Sequence, residues 1–219
     1  MSLDPTAIDG QRKHWEGVFA ESAEMYGADP SDPARFALDM LERGSARDVL
    51  ELGAGQGRDT LAFLASGYRV TALDYADDVL RTLEETAERR GMAKRLTTIA
   101  HDVRCPLPLP DESIDAAYSH MLFNMALSTP ELDALGQEVH RVLRPGGLHI
   151  YTVRHVGDAH FGAGTSHGDA MFENGGFIVH FFDEPLVDRL ACGFVLVERA
   201  EFEEGGLPRK LWRVTMRKQ

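Results

Sequence analysis

From about residue 48 onward, short runs of Val, Leu and Ile alternate with longer amphipathic stretches, the pattern of βα units that feed a parallel sheet. The apolar runs predict strands at 48–53, 69–74, 96–102, 114–120 and 148–154. Between them, 58–66, 77–90 and 130–143 carry apolar residues at helical spacing. The last of these meets Arg144-Pro145-Gly146-Gly147, where proline cannot continue a helix and the glycines allow a tight reversal. The alternation then changes. A Gly- and His-rich stretch over 156–176 precedes a short helix near 183–192 that Asp183 is placed to cap. Two β-like runs, 194–202 and 210–217, follow with a break so short that only an antiparallel hairpin joins them. Ahead of the first strand, 8–26 and 32–43 read as two helices, interrupted at Asp29-Pro30-Ser31-Asp32-Pro33.

These elements predict an α/β, Rossmann-like fold: a seven-stranded mixed sheet of five parallel strands plus a C-terminal antiparallel hairpin, with helices on both faces. The 219 residues suit one core. The expected single domain divides into N-terminal helices covering the site (1–44), a cofactor-binding core (45–155), a substrate-side loop region (156–182) and a closing helix and hairpin (183–219). Apolar stretches stop short of the ~18 residues of a membrane span and no signal-peptide pattern opens the chain, so a cytoplasmic protein without membrane contact is expected. Acidic residues exceed basic ones by 35 to 23, and no Lys/Arg stripe tracks a phosphate backbone, so nucleic acid is not expected as a partner. Cys105 and Cys192 have no ligand spacing and read as buried or half-buried free thiols. A monomer or homodimer is the prior for a chain of this kind.

The first strand runs into Gly53-Ala54-Gly55-Gln56-Gly57 and then a helix, so the backbone must reverse sharply while coming close to a ligand. The dinucleotide fingerprint wants Gly or Ala where Arg58 stands. Glu51, two places before the first glycine, sits badly beside a pyrophosphate yet suits a ligand carrying an ammonium or sulfonium. Asp74 closes the second strand at the distance from which a carboxylate accepts from both hydroxyls of a ribose. Asp102 ends the third strand, where it is placed either to accept from an adenine amino group, with Val103 against the ring, or to pair with Arg104.

Val49-Leu50-Glu51-Leu52-Gly53-Ala54-Gly55-Gln56-Gly57-Arg58-Asp59, Tyr68-Arg69-Val70-Thr71-Ala72-Leu73-Asp74 and Leu143-Arg144-Pro145-Gly146-Gly147 resemble class I S-adenosylmethionine-dependent methyltransferases over about 45–155. Gly55-Gln56-Gly57-Arg58, Gly67-Tyr68 and the upstream Trp15, Tyr26-Gly27 and Pro30-Ser31 are similar to the tellurite-resistance and thiopurine branch. The resemblance implies S-adenosylmethionine as cofactor and S-adenosylhomocysteine as product. Glu51 and the turn (Gly53, Ala54, Gly55, Gly57, with Arg58) would hold the methionine part, Asp74 with Tyr75 the ribose, Asp102 and Val103 the adenine, and Ser119 or His120 would face the methionine amino group.

Methyl transfer from a sulfonium is an in-line displacement, so a protein mainly aligns the nucleophile and excludes water; a base is needed only for a protonated nucleophile. Ligands in open α/β sheets lie at the carboxyl ends of strands. His120 and Asn124 after the fourth strand, and Arg154 and His155 after the fifth, are therefore the candidate catalytic residues, with Arg154 suited to an oxyanion. His160, His167 and His180, with Trp15 and Tyr26 from the N-terminal helices, are candidates to bind a small-molecule methyl acceptor. Each histidine alone also reads as a surface or packing residue. A metal bound by His155, His160 or His167 with Asp158 or Asp169 matches no ligand pattern and is not expected. The competing readings are a nicotinamide oxidoreductase using the same turn and Asp74, and a cofactor-binding module without turnover.

Overall fold

The computed structural model describes residues 5–21, 27–205 and 209–219, apart from the side chains of 5–9 and 20. Five parallel strands, β1 (Asp48–Leu52), β2 (Arg69–Asp74), β3 (Leu96–Ala100), β4 (Ile114–His120) and β5 (Leu143–Arg154), form the sheet together with a later antiparallel pair, β9 (Phe194–Glu204) and β10 (Arg209–Lys218). The strand order is β3-β2-β1-β4-β5-β10-β9, and the parallel and antiparallel pairings are those expected from the sequence. Helices α3 (Arg58–Ala65), α4 (Asp77–Arg89), α5 (Thr129–Val142) and α6 (Glu184–Leu190) connect the strands, and α1 (Pro5–Glu21) and α2 (Asp32–Glu42) precede them.

Alternate residues of the central strands feed two separate cores, one on each face of the sheet. Leu50, Leu52, Tyr151 and Val153 pack with α5 and α6. Val49, Val70, Ala72 and Tyr118 pack with α2, α3 and α4. Glu51 shares the parity of Val49 and so points toward α3, where the Thr60 hydroxyl donates to it.

Local chemistry sets the helix starts. Ser31 caps α2, its hydroxyl accepting the Ala34 N–H at 3.1 Å. Ser128 and Glu131 form a reciprocal capping box on α5. Asp183 caps α6, as expected, through the Leu186 N–H at 2.9 Å.

Two expectations are corrected. The region 156–182 is not simply a loop: β6 (Thr165–Gly168), β7 (Met171–Asn174) and β8 (Phe177–His180) form a second, antiparallel sheet. Its strands are four residues each and its turns use left-handed backbone at Asp169, Ala170, Gly175 and Gly176, so no long apolar alternation marks it. Cys105 and Cys192 are free, but exposed rather than buried, because each lies in a turn outside both cores. Tyr26 lies outside the described residues. No described helix is long and apolar enough to cross a membrane.

Candidate active site

A cleft of about 790 Å³ opens at the carboxyl ends of β1, β2 and β4. Its floor is the turn between β1 and α3, where Gly53, Gly55 and Gly57 all have left-handed φ, 73°, 51° and 80°. A Cβ on Gly57 would run into the Leu83 side chain of α4, and one on Gly53 would lie 3.0 Å from Leu122 Cβ. Glycine is required here both by conformation and by space.

Three carboxylates line this floor. Asp74 accepts the Gly55 N–H at 2.8 Å through Oδ2 and the Ala76 N–H at 2.9 Å through Oδ1. Burial nevertheless raises its pKa. Burial, followed by the nearby Asp59, drives the Glu51 carboxyl well above the usual range. Asp59 accepts from Ser31 N at 2.8 Å, Ser31 Oγ at 2.7 Å and the Tyr118 hydroxyl at 2.8 Å, tying α2 and β4 to the start of α3. Arg58 approaches Asp59 at 3.7 Å and Glu204 at 3.6 Å. A desolvated carboxyl whose neighbours are also acidic gains most from a cationic ligand. The donor set therefore fits a ligand with a sulfonium or ammonium and a vicinal diol.

Of the sequence-predicted cofactor residues, Glu51, Gly53, Ala54, Gly55, Gly57, Arg58, Asp74, Tyr75 and Val103 line the cleft. Asp102 does not. It lines an adjoining pocket of about 90 Å³ shared with Tyr75 and Val103, and Arg104 grips it, with Nε 2.9 and 3.0 Å from its two oxygens. Burial pushes the Asp102 carboxyl up, but Arg104 outweighs it and the net shift is downward. Ser119 is fully buried with its hydroxyl unpartnered and lies away from the cleft, since strand alternation turns it from the face that Tyr118 and His120 share.

The substrate-side expectation needs the largest correction. His120 lines the cleft, but Asn124, Arg154, His155, His160, His167 and His180 do not. Asn124 is fully buried, accepting the Arg154 N–H at 3.2 Å. Arg154 is closed into a buried pair with Asp158, with His160 Nδ1 2.9 Å from its guanidinium, so it has no open face for an oxyanion. His155 stacks on Trp212 at 4.6 Å. His167 meets Glu173 at 2.9 Å, and His180 meets the Leu127 carbonyl at 2.7 Å. Burial lowers the pKa of both His155 and His180. The histidines are near in sequence but spread over the second sheet and its surroundings. No group of three or more His, Cys, Asp or Glu suited to a metal exists among the described residues.

Trp15 lines the cleft, joined by Phe19 one helical turn on, with ring centroids 5.4 Å apart. The helix that carries them is fastened to the edge of β8: Gln11 Nε2 donates to Gly176 O at 2.7 Å, and Gln11 Oε1 accepts from Ile178 N at 3.0 Å. His14 and Trp15 add ring contacts to Phe177 at 4.3 and 4.8 Å. The second sheet is thus a buttress for the covering helix. Glu204 and Arg209, at the tip of the C-terminal hairpin, also reach the cleft. Sequence reasoning missed them, as the strand was expected to end at 202 and nothing local shows which way the hairpin leans.

Residues 49–147 match the family model described as a methyltransferase domain. The chain has the fold of class I S-adenosylmethionine-dependent methyltransferases. The 1,6-didemethyltoxoflavin-N1-methyltransferase of Burkholderia thailandensis, solved with 1,6-didemethyltoxoflavin and S-adenosylhomocysteine, superposes with a TM-score of 0.77 at 21% identity, over 100% of this chain and 92% of that one. TehB of Haemophilus influenzae gives 0.69 at 18% identity, over 94% and 67%. Among curated proteins, phosphoethanolamine N-methyltransferase 1 of Triticum aestivum is 36% identical over 115 residues, 52% of this chain and 22% of that protein. An uncharacterized methyltransferase of Mycobacteroides abscessus is 32% identical over 144 residues, 62% of this chain and 54% of that one. The chain thus spans between about a fifth and about half the length of these curated relatives.

Proposed function

We propose that this chain transfers the methyl group of S-adenosylmethionine to a small-molecule nucleophile. The observation that carries the reading is the carboxylate floor: Glu51 and Asp74 are buried at the glycine turn and aimed into one cleft. S-Adenosylmethionine supplies an electrophilic methyl carbon on a positively charged sulfur. Glu51 binds the cationic end, and Asp74, already fixed by two backbone N–H groups, keeps its remaining lone pairs for the ribose hydroxyls. Tyr75 and Val103 pack against the adenine from the side of the adjoining pocket. Trp15 and Phe19 cover the cleft and exclude water, which suits a displacement in which alignment does most of the work.

The narrower reading, the tellurite-resistance and thiopurine branch, rests on the residues around Gly55–Arg58 and on Gly67-Tyr68. The acceptor is a small molecule because the opening between the covering helix and the hairpin tip is a cleft, and because the chain carries a net charge of −12, unfavourable for a polyanionic substrate. Isothermal calorimetry with S-adenosylhomocysteine and with NAD is the decisive test. Binding of S-adenosylhomocysteine alone is expected; binding of NAD alone would transfer the site to an oxidoreductase.

A further inference from the structure

In the same cleft, the His120 ring is committed on both sides. Nδ1 lies 2.8 Å from Thr152 Oγ1, and Nε2 lies 3.2 Å from Glu204 Oε2. The Thr152 hydroxyl oxygen also accepts the Met121 N–H at 3.0 Å. Met121 itself is held at φ 64°, a conformation that residues with side chains rarely adopt. Strain of this kind persists where surrounding bonds over-determine it, and it concentrates at functional sites. Three elements meet here, β4, β5 and the end of β9, and the array exists only in the folded chain.

With both ring nitrogens engaged, His120 has no lone pair open to an incoming molecule. Beside it, the Glu204 carboxylate lines the cleft with acceptor capacity to spare, since His120 and Arg58 contact it through one oxygen each. Arg58 of α3 and Arg209 of β10 are the other charged groups facing it. His120 first, then these two arginines, hold its carboxyl below the usual glutamate range in spite of burial. The same cleft is also lined by apolar side chains: Trp15 and Phe19 from the first helix, and Leu122 and Met125 after β4.

Resting on the methyl-transfer reading, we infer that Glu204 is a catalytic carboxylate and His120 its positioning residue, and that the acceptor is a weakly basic nitrogen bearing a hydrogen on an aromatic or heteroaromatic body. The nitrogen lone pair forms the bond to the methyl carbon as the carbon–sulfur bond breaks, its electron pair remaining on sulfur as a neutral thioether. Positive charge grows on the nitrogen. Glu204 stabilises that charge in a site shielded from water, takes the N–H proton and releases it to solvent.

Relative acidity decides between acceptor classes. A carboxylate that His120 and two arginines hold below the ordinary glutamate range is far too weak a base to prepare a thiol (~8.5) or a phenol (~10) as an anion. A nitrogen made cationic by methylation gives up its proton far more readily. A halide releases no proton and gains no positive charge for a carboxylate to stabilise, and a thioether, though it becomes cationic, has no proton to give up.

The test uses the full chain, with ring-substituted anilines and aminoquinolines as nitrogen probes and phenols, aryl thiols and iodide as the contrast set, read as S-adenosylhomocysteine release. The nitrogen probes are expected to react, and Glu204→Gln to lower kcat for them by ~10- to 100-fold, with KM and S-adenosylhomocysteine affinity within about two-fold of wild type. His120→Gln is expected to move the Glu204 carboxyl resonance, followed by ¹³C NMR against pH, up to the ordinary glutamate range near ~4.3. The acid limb of kcat is expected to move up with it. Wild-type kcat in Glu204→Gln, reaction confined to phenols, thiols or iodide, or an unmoved Glu204 titration in His120→Gln each overturns the inference. In any of these cases retained S-adenosylhomocysteine binding leaves the methyl-transfer reading standing, whereas loss of that binding in the wild type removes the reading itself.

Discussion

Single side chains in this protein are tied to function by where their charge is left uncompensated. Glu51 accepts from the Thr60 hydroxyl and lies near Asp59 and Asp74, whose repulsion Arg58 offsets only in part, so its anion is costly until a cation arrives. Glu51→Gln and Asp74→Ala are each expected to weaken S-adenosylhomocysteine binding by about ten-fold or more, measured by calorimetry. Unchanged affinity in both would dissociate these carboxylates from the cofactor. The opposite case is Asp158, whose carboxylate is matched by Arg154 and by the N–H groups of His160 and Lys210 at 2.8 and 2.9 Å. Burial raises its pKa, but Arg154 and these donors overcome that and leave it lowered. A depressed folded pKa means that this stability is fully present above the unfolded value near ~3.9 and is lost as pH falls through the folded one. Asp158→Asn is expected to cost about 3 kcal/mol at pH 7, because it leaves Arg154 buried without its partner. The deficit relative to wild type shrinks below pH 4 in urea unfolding. Glu51 and Asp74 were legible in the sequence because each stands at a fixed offset from a strand end and a glycine turn. Arg154 and His155 were misread as substrate groups, because their ion pair and ring stack are made with Asp158 and Trp212 across turns that no residue spacing encodes.

At the scale of elements, the first helix docks on the second sheet. The helix Pro5–Glu21 has no basic residue in its last turn and no acidic one in its first to support it, and its hold on the body comes from Gln11 spanning two backbone groups at the β8 edge and from the rings around Phe177. Each such hydrogen bond contributes about 1 kcal/mol. Gln11→Ala is therefore expected to loosen the helix without unfolding the sheet. Hydrogen exchange of its amides should accelerate by about ten-fold and cofactor KM should rise, with kcat and melting temperature little changed. A drop in melting temperature with no change in exchange would show instead that the contact serves global stability. The strands and helices of the main sheet were readable from periodicity because they are long and buried on defined faces. The buttressing sheet was not, since its four-residue strands are half exposed and joined by left-handed turns.

For the whole molecule, the cleft joins elements that are distant in sequence, and a ligand seated there ties them together. Binding that favours the native state adds about 2.7 kcal/mol of stability at a hundred times Kd. S-Adenosylhomocysteine at that concentration is expected to raise the melting temperature by several degrees, and NAD at the same concentration to leave it unchanged. An equal rise with NAD would contradict a site selective for a cationic cofactor. The sequence by itself determined the alternating βα order, the closing hairpin, the glycine turn and the carboxylates at its two flanks, because these follow from local steric rules and from fixed offsets along the chain. Only the tertiary structure decided what faces an acceptor. His120 and Thr152 meet because β4 and β5 pair, and Glu204, far on in the chain from His120 at the end of β9, reaches the same ring only through the fold of the closing hairpin. The histidines clustered in sequence were drawn away from the cleft by burial and by nearer partners.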